Sequence, residues 1–248
     1  MAEREDPVKP KSRSKRALLS VLIVLVLLAF GAILYISIHY KAESSALSAL
    51  ESDESVTVAQ TEYGWLFDGP GTDDALVFYP GGKVDAEAYA PLLHRLAGEG
   101  LDVCLVKMPL RFAFFGMNKA ETVMARHTYR NWYIGGHSLG GAIAALWAAD
   151  NADTLSGLIL LAAYPTKPLD KDLTCVLLYG SEDKVVNREK IVLGRDLAPD
   201  DYTEYVIPGG NHAQFGNYGE QNGDGEASIS WEKQQEETVR VIMEHIKS

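Results

Sequence analysis

Apolar residues along this chain fall into one long unbroken block, then a polar interval, then a series of short apolar runs separated by amphipathic stretches. The block at 17–38 (ALLSVLIVLVLLAFGAILYISI) has 22 positions and no charged side chain. At the rise of an α-helix that is about 33 Å, which matches the hydrocarbon core of a bilayer. A helix apolar on every side has no face to offer water, so the pattern predicts a membrane-crossing helix. The interval 39–54 is polar and rich in small residues, and is expected to be a tether with modest helical tendency.

From Val56 the rhythm changes. Residues 56–58 and 64–67 read as short strands around a polar turn, and Gly69-Pro70-Gly71 breaks the chain before the first long buried run at 75–79. Asp85 is then placed to cap a helix whose Tyr89, Leu92, Leu93 and Leu96 recur at helical spacing. A strand at 103–106, a helical segment near 119–127, a strand ending at 137 and a small-residue helix follow. Three more strands are predicted at 157–161, 174–179 and 202–207, and a closing helix at 230–245 carries Val239, Ile242, Met243 and Ile246 on its inner stripe. Nearly continuous apolar strands alternating with helices predict an α/β fold, a mostly parallel sheet covered on both faces. The expected organisation is a basic tail at 1–16, the membrane helix at 17–38, the tether at 39–54 and one domain at 55–248.

Charge adds direction to this picture. Six basic and three acidic side chains precede the apolar block, and few basic ones follow it. The positive-inside rule then predicts a cytoplasmic N-terminus and an extracytoplasmic domain. A secretory signal peptide is the competing reading, but the block exceeds a usual signal core and no A-x-A-like site follows. With +3 in the tail and −11 overall, residues 17–248 carry −14, which argues against nucleic acid and against adsorption to anionic lipid. Cys104 and Cys175 could pair outside the cytoplasm, yet both sit within apolar runs read as strands of one sheet and are expected to be core thiols.

The chemistry centres on Gly136-His137-Ser138-Leu139-Gly140, a G-x-S-x-G between an apolar strand and a helix. Such a turn holds a serine in strained geometry with its hydroxyl exposed. A serine hydroxyl needs a base within hydrogen-bond reach and a carboxylate to orient that base. Asp183 follows one predicted strand and His212 follows the last, with Glu182 as an alternative acid one residue earlier. No metal-ligand spacing appears, the chemistry needs no cofactor, and Pro80-Gly81-Gly82-Lys83 lacks the full phosphate-loop pattern.

From about residue 56 onward the chain resembles a compact α/β-hydrolase of the dienelactone-hydrolase-like kind. The resemblance rests on Tyr79-Pro80-Gly81-Gly82-Lys83-Val84-Asp85, GGHSLGG at 135–141, GSEDKVV at 180–186 and GGNHAQFGNYG at 209–219. It implies that Ser138 is the nucleophile, His212 the general base and Asp183 its orienting acid. It also implies oxyanion donors at the backbone N–H of Leu139 and, where Pro80-Gly81-Gly82 replaces the family's frequent His-Gly-x, at the N–H of Gly82.

His137 is expected to be fixed beside the nucleophile and to point away from the base position. His127 is expected at a core or pocket edge with Val123 and Met124, while His94 falls off its helix's apolar stripe. Only about ten residues, 164–173, lie where many α/β-hydrolases insert a cap, so no large cap domain is expected. The aromatic run at 111–118 is read equally as a site wall or as core, and the glycine-rich loop at 215–225 as another wall. The resulting expectation is a membrane-anchored serine esterase acting on a small-molecule ester or acyl compound. An acyltransferase using the same triad and a noncatalytic binding protein of the same fold are the alternatives.

Overall fold

The structure is a computed structural model, and it describes residues 13–71 and 73–246. Most of the basic tail expected at 1–16 therefore lies outside the described residues. The first unit contains α1 (Arg13–Ser37), within which Ala17–Ser37 is long and apolar enough to cross a membrane. The second unit begins at Tyr40 and holds everything else.

Eight strands of that second unit form one sheet: β1 (Thr57–Gln60), β2 (Gly64–Asp68), β3 (Asp74–Tyr79), β4 (Asp102–Val106), β5 (Asn131–His137), β6 (Gly157–Leu161), β7 (Thr174–Gly180) and β8 (Asp201–Ile207). Their spatial order is β1-β2-β4-β3-β5-β6-β7-β8; β3 to β8 run parallel, while β2 is antiparallel to both β1 and β4. This is an α/β-hydrolase fold. The central strands β3, β4 and β6 are buried along nearly their whole length, which is why they read as continuous apolar runs. The edges are different: β1 is mostly exposed and β8 only half-buried, and polar or charged side chains there discourage pairing with another chain.

Helices cover the sheet. They are α3 (Ala90–Gly98), α4 (Lys119–Met124), α5 (Leu139–Asp150), α6 (Arg188–Gly194) and α7 (Trp231–Ile246), preceded by a short α2 (Ser44–Ser48). The predicted stripes are the buried faces, with Leu92, Leu93 and Leu96 on α3 and Val239, Ile242, Met243 and Ile246 on α7. Asp85 does not cap with its side chain. It precedes a 3₁₀ turn, Ala86–Tyr89, that leads into α3, and its carboxylate instead receives Arg111 Nε at 2.6 Å. The connection between β6 and β7 contains no helix or strand and folds back through Leu169 N–H to Leu197 O at 2.8 Å, so no cap domain exists there. Cys104 on β4 and Cys175 on β7 are separated by three strands and remain free buried thiols, with burial pushing each up to about 12.

The interval expected to be a tether is folded onto the domain from Tyr40 onward. Tyr40 bridges to Val84, with Tyr40 N–H donating to Lys83 O at 2.8 Å and Asp85 N–H donating to Tyr40 O at 2.9 Å. Glu43 N–H reaches Asn217 O at 2.9 Å, and Ala46 on α2 is fully buried. Composition concealed this because only a few side chains, Tyr40, Ala42, Ala49 and Leu50, pack against the core. A fragment starting at residue 40 should therefore keep the stability of the domain, whereas one starting at residue 55 should lose about 2–4 kcal/mol of it. Urea-unfolding midpoints of the two fragments check this, and equal midpoints contradict it.

Candidate active site

All the predicted site residues sit where strands end at one edge of the sheet. β3 runs into Pro80-Gly81-Gly82, β5 into Ser138, β7 into the turn carrying Asp183, and β8 into the turn carrying His212. Register pairs Tyr79 with Gly136 and Gly180 with Ile207, so the strands finish together and their exit loops converge.

Ser138 has φ 53° and ψ −121°, a conformation that non-glycine residues avoid. Two hydrogen bonds hold it: Ser138 N–H to Leu161 O at 2.9 Å, and Ala142 N–H to Ser138 O at 3.0 Å. The flanking glycines are required by contact. A Cβ on Gly140 would lie 2.1 Å from Tyr79 O and 2.3 Å from Pro80 O, and one on Gly136 would lie 2.4 Å from Tyr79 O.

His212 Nδ1 and Asp183 Oδ2 are 2.8 Å apart, and both side chains are buried. The other carboxylate oxygen, Oδ1, accepts the N–H groups of Val185 and Val186, each at 2.8 Å. A carboxylate can only accept, so the imidazole proton belongs on Nδ1 and the Nε2 lone pair is left free to take a proton. Glu182 is engaged elsewhere, accepting from Ser181 Oγ at 2.9 Å, so Asp183 is the carboxylate that meets His212. Ser138 makes no side-chain hydrogen bond in its own turn, and the Ser138–His212 hydrogen bond is not formed among the described residues. The structure thus joins His212 to Asp183 and leaves the serine link open.

The two residues expected to supply oxyanion donors lie in contact. Leu139 opens α5, where an N–H has no partner within the helix. A Cβ on Gly82 would lie 2.9 Å from Leu139 Cδ2, so the β3 exit loop rests directly on that residue. Gly81 N–H, by contrast, is committed to Tyr89 Oη at 3.0 Å.

A family model described as the alpha/beta hydrolase family matches residues 75–236. The chain belongs to the alpha/beta hydrolase family. Among solved structures it is similar to Est1E from Butyrivibrio proteoclasticus with ferulic acid bound, at 15% identity and a TM-score of 0.58, covering 80% of this chain and 99% of that one. It is also similar to dienelactone hydrolase from Anabaena variabilis (16% identity, TM-score 0.53, 78% of this chain and 98% of that one). A third is alpha/beta hydrolase domain-containing protein 10 from mouse (12% identity, TM-score 0.56, 78% and 98%). At these identities the likeness is one of fold. No curated protein matches the sequence significantly.

This α/β-hydrolase departs from expectation most clearly at His137. Its ring does not point away from the base; the His137 and His212 ring centroids are 4.4 Å apart. The elbow turns Ser138 outward but leaves the last residue of β5 beneath the base loop. Tyr89 Oη lies 2.8 Å from His137 Nδ1 while accepting the Gly81 N–H, so the hydroxyl proton is directed at Nδ1 and the imidazole proton sits on Nε2. Burial, followed by the adjacent His212, holds His137 well below the usual imidazole range and keeps it neutral. Burial likewise raises the Tyr89 phenol above its ordinary value. Of the other histidines, His127 Nε2 is 3.0 Å from Tyr63 Oη and His94 lies 3.6 Å from Asp53, both away from this cluster.

Sequence reasoning did not find the residues that hold the loop carrying His212 in this member of the family. Asp224 Oδ2 accepts Ala213 N–H at 2.9 Å, while its Oδ1 accepts Gly225 N–H at 2.8 Å, tying the glycine-rich loop to the turn after His212. Gln234 on α7 grips Asn211 twice, accepting its N–H at 2.9 Å and donating to its carbonyl at 2.8 Å. Buried Asn217 donates to Ser45 Oγ at 3.0 Å and accepts from Gln235 Nε2 at 2.8 Å. These polar side chains carried no periodic signal; the one usable hint was a polar Gln-Gln pair on a helix that also packs its apolar stripe inward.

The His137 burial has a pH consequence. Below about 6.5 the unfolded chain takes up a proton at this histidine that the folded chain refuses, so stability falls as pH drops, by about 1.4 kcal/mol per unit until the depressed folded value is reached. Urea midpoints at pH 7.5 and pH 5 should show this slope, and His137→Asn should flatten it. Tyr89→Phe should cost about 1–3 kcal/mol by leaving Gly81 N–H and His137 Nδ1 unpaired in the interior, measurable as a lowered midpoint at pH 7.5.

Proposed function

We propose that this protein is a membrane-anchored serine hydrolase that cleaves carboxylic esters or related acyl compounds through an acyl-Ser138 intermediate. Residues 17–38 serve as an uncleaved signal-anchor, with the N-terminus cytoplasmic and the hydrolase domain extracytoplasmic. The observation that carries the chemical reading is the buried 2.8 Å pair of His212 Nδ1 and Asp183 Oδ2 beside a serine strained at φ 53°.

In this reading His212 Nε2 takes the hydroxyl proton as Ser138 Oγ attacks the carbonyl carbon, and the N–H groups of Gly82 and Leu139 receive the developing oxyanion. Collapse of the tetrahedral intermediate breaks the bond to the leaving alcohol, which takes the proton back from Nε2. Water then attacks the acyl-serine with His212 again as base, releasing the carboxylic acid and restoring Ser138. Asp183 keeps the productive tautomer of His212 throughout, helped by its bonds to Val185 and Val186. The Ser138–His212 hydrogen bond forms as substrate orders the hydroxyl, since such links are often loose before binding. Without a cap domain, short loops around the strand ends set the acyl preference.

A fluorophosphonate probe should label the wild-type chain and fail on Ser138→Ala; equal labelling of both sinks the assignment. Asp183→Asn should lower kcat/KM for a p-nitrophenyl ester by about 10³-fold or more, whereas Glu182→Gln should stay within about threefold. Reversed sensitivities would transfer the acid role to Glu182.

A further inference from the structure

The loop after β4 shows water an apolar surface that packing does not explain. Leu110, Phe114 and Phe115 are 51%, 47% and 55% exposed. The three phenylalanines of this loop stack on one another rather than on the core, with ring centroids 5.3 Å apart for Phe112 and Phe114 and 4.3 Å for Phe114 and Phe115. Of the two sequence readings, core is thus excluded for Phe114 and Phe115. Leu110 and Arg111 have φ of 53° and 61°, so the chain accepts left-handed strain at two consecutive side-chain-bearing residues while holding a leucine outward. Such a cluster on a monomer's surface marks an interaction site.

Lys83 joins this loop to two other features. Its N–H donates to Arg111 O at 2.9 Å, and its carbonyl accepts Tyr40 N–H at 2.8 Å. Lys83 also directly follows Gly82, and its own φ is 60°. One residue therefore adjoins the exposed aromatic loop, the first residue of the folded unit and the expected oxyanion donor. Only Ile38 and His39 separate Ser37, where the apolar helix ends, from Tyr40, a span of at most about 11 Å. If residues 17–37 cross a bilayer, chain length alone keeps a lipid surface within that reach of Tyr40.

We propose that Leu110, Phe114 and Phe115 insert into the interfacial layer of the membrane that anchors the chain, so that the hydrolase takes an amphiphilic acyl ester directly from the bilayer. This rests on the serine-hydrolase and anchor readings above and adds the substrate class. The net charge of −14 on residues 17–248 opposes electrostatic adsorption, so the contact is apolar insertion and needs no anionic lipid. Arg111 and Lys107, near the patch in the chain, are each paired with an acidic neighbour, Asp85 and Glu87 respectively.

The test uses the full chain in phosphatidylcholine vesicles. Both native thiols are buried, so a cysteine introduced by Phe115→Cys can be labelled selectively with a nitrobenzoxadiazole dye. Lys171→Cys, exposed ahead of β7 at the opposite edge of the sheet, is the control. Doxyl-labelled lipid should quench the dye at 115 and leave the dye at 171 unaffected. No quenching at 115 overturns the proposal, and so does a blue-shifted but unquenched dye, which points to a second copy or another protein on the patch. In the second arm, Leu110→Ser/Phe114→Ser/Phe115→Ser should lower turnover of a long-chain ester dissolved in the vesicles at least tenfold while changing turnover of soluble p-nitrophenyl acetate less than twofold. Equal effects on both esters overturn the substrate class. A wild-type chain inactive on both esters refutes the hydrolase reading instead, and lipid quenching still decides the docking face.

Discussion

The close crossing of two backbones at the centre of the sheet is the constraint around which the site is arranged. The carbonyls of Tyr79 and Pro80 occupy the space where side chains at Gly136 and Gly140 would stand, so the exit of β3 and the elbow after β5 lie in direct contact. At that crossing Ser138 has its positive φ and Gly82 lies against Leu139. A larger residue at either glycine would push the serine turn away from the exit of β3. The strain is tolerated because Ser138 is bonded on both sides, to Leu161 behind and Ala142 ahead, within a fully packed strand–helix unit.

A second layer of polar contacts keeps the loops from drifting. Tyr89, on the turn before α3, links the β3 exit to the end of β5 by bonding Gly81 and His137 together. His137 packs against His212, and Tyr89 packs against Tyr218, which in turn meets Tyr40. Rings therefore run without a break from the first residue of the folded unit to the histidine paired with Asp183. Buried polar groups of this kind are costly when left unpaired, so each member holds its neighbours in place. The arrangement ties the base loop to a segment that composition alone would assign to a linker.

How legible this was depended on the kind of signal each residue carried. The apolar block, the strand runs and the G-x-S-x-G turn are local patterns, and the structure places helix, strands and elbow where those patterns lie. Asp183 and His212 were readable because each follows a strand within a few residues, and parallel strands of matched register deliver such positions to one edge. Tyr89 was legible only as part of an apolar stripe, since its hydroxyl's partners lie at Gly81 and 48 residues away at His137. Asp85 looked like a cap because a polar residue preceded a helical pattern; its carboxylate went to Arg111 because the loop after β4 folds back on it. Phe114 and Phe115 could not be divided between core and surface by hydrophobicity, because exposure depends on which way a loop turns.

The sequence by itself determined the alternation of elements, the apolar N-terminal helix, the missing cap between β6 and β7 and the identity of the residues at the strand ends. These follow from periodicity, spacing and steric demands that act over a few residues. Only the tertiary structure decided that Asp183 rather than Glu182 meets His212, that the His137 ring lies against His212 instead of facing away, and that residues 40–48 belong to the domain. It also decided that the aromatic loop stays in the open. Each of these turns on contacts between segments far apart in the chain, whose geometry arises only when the sheet has closed and its loops compete for the same partners.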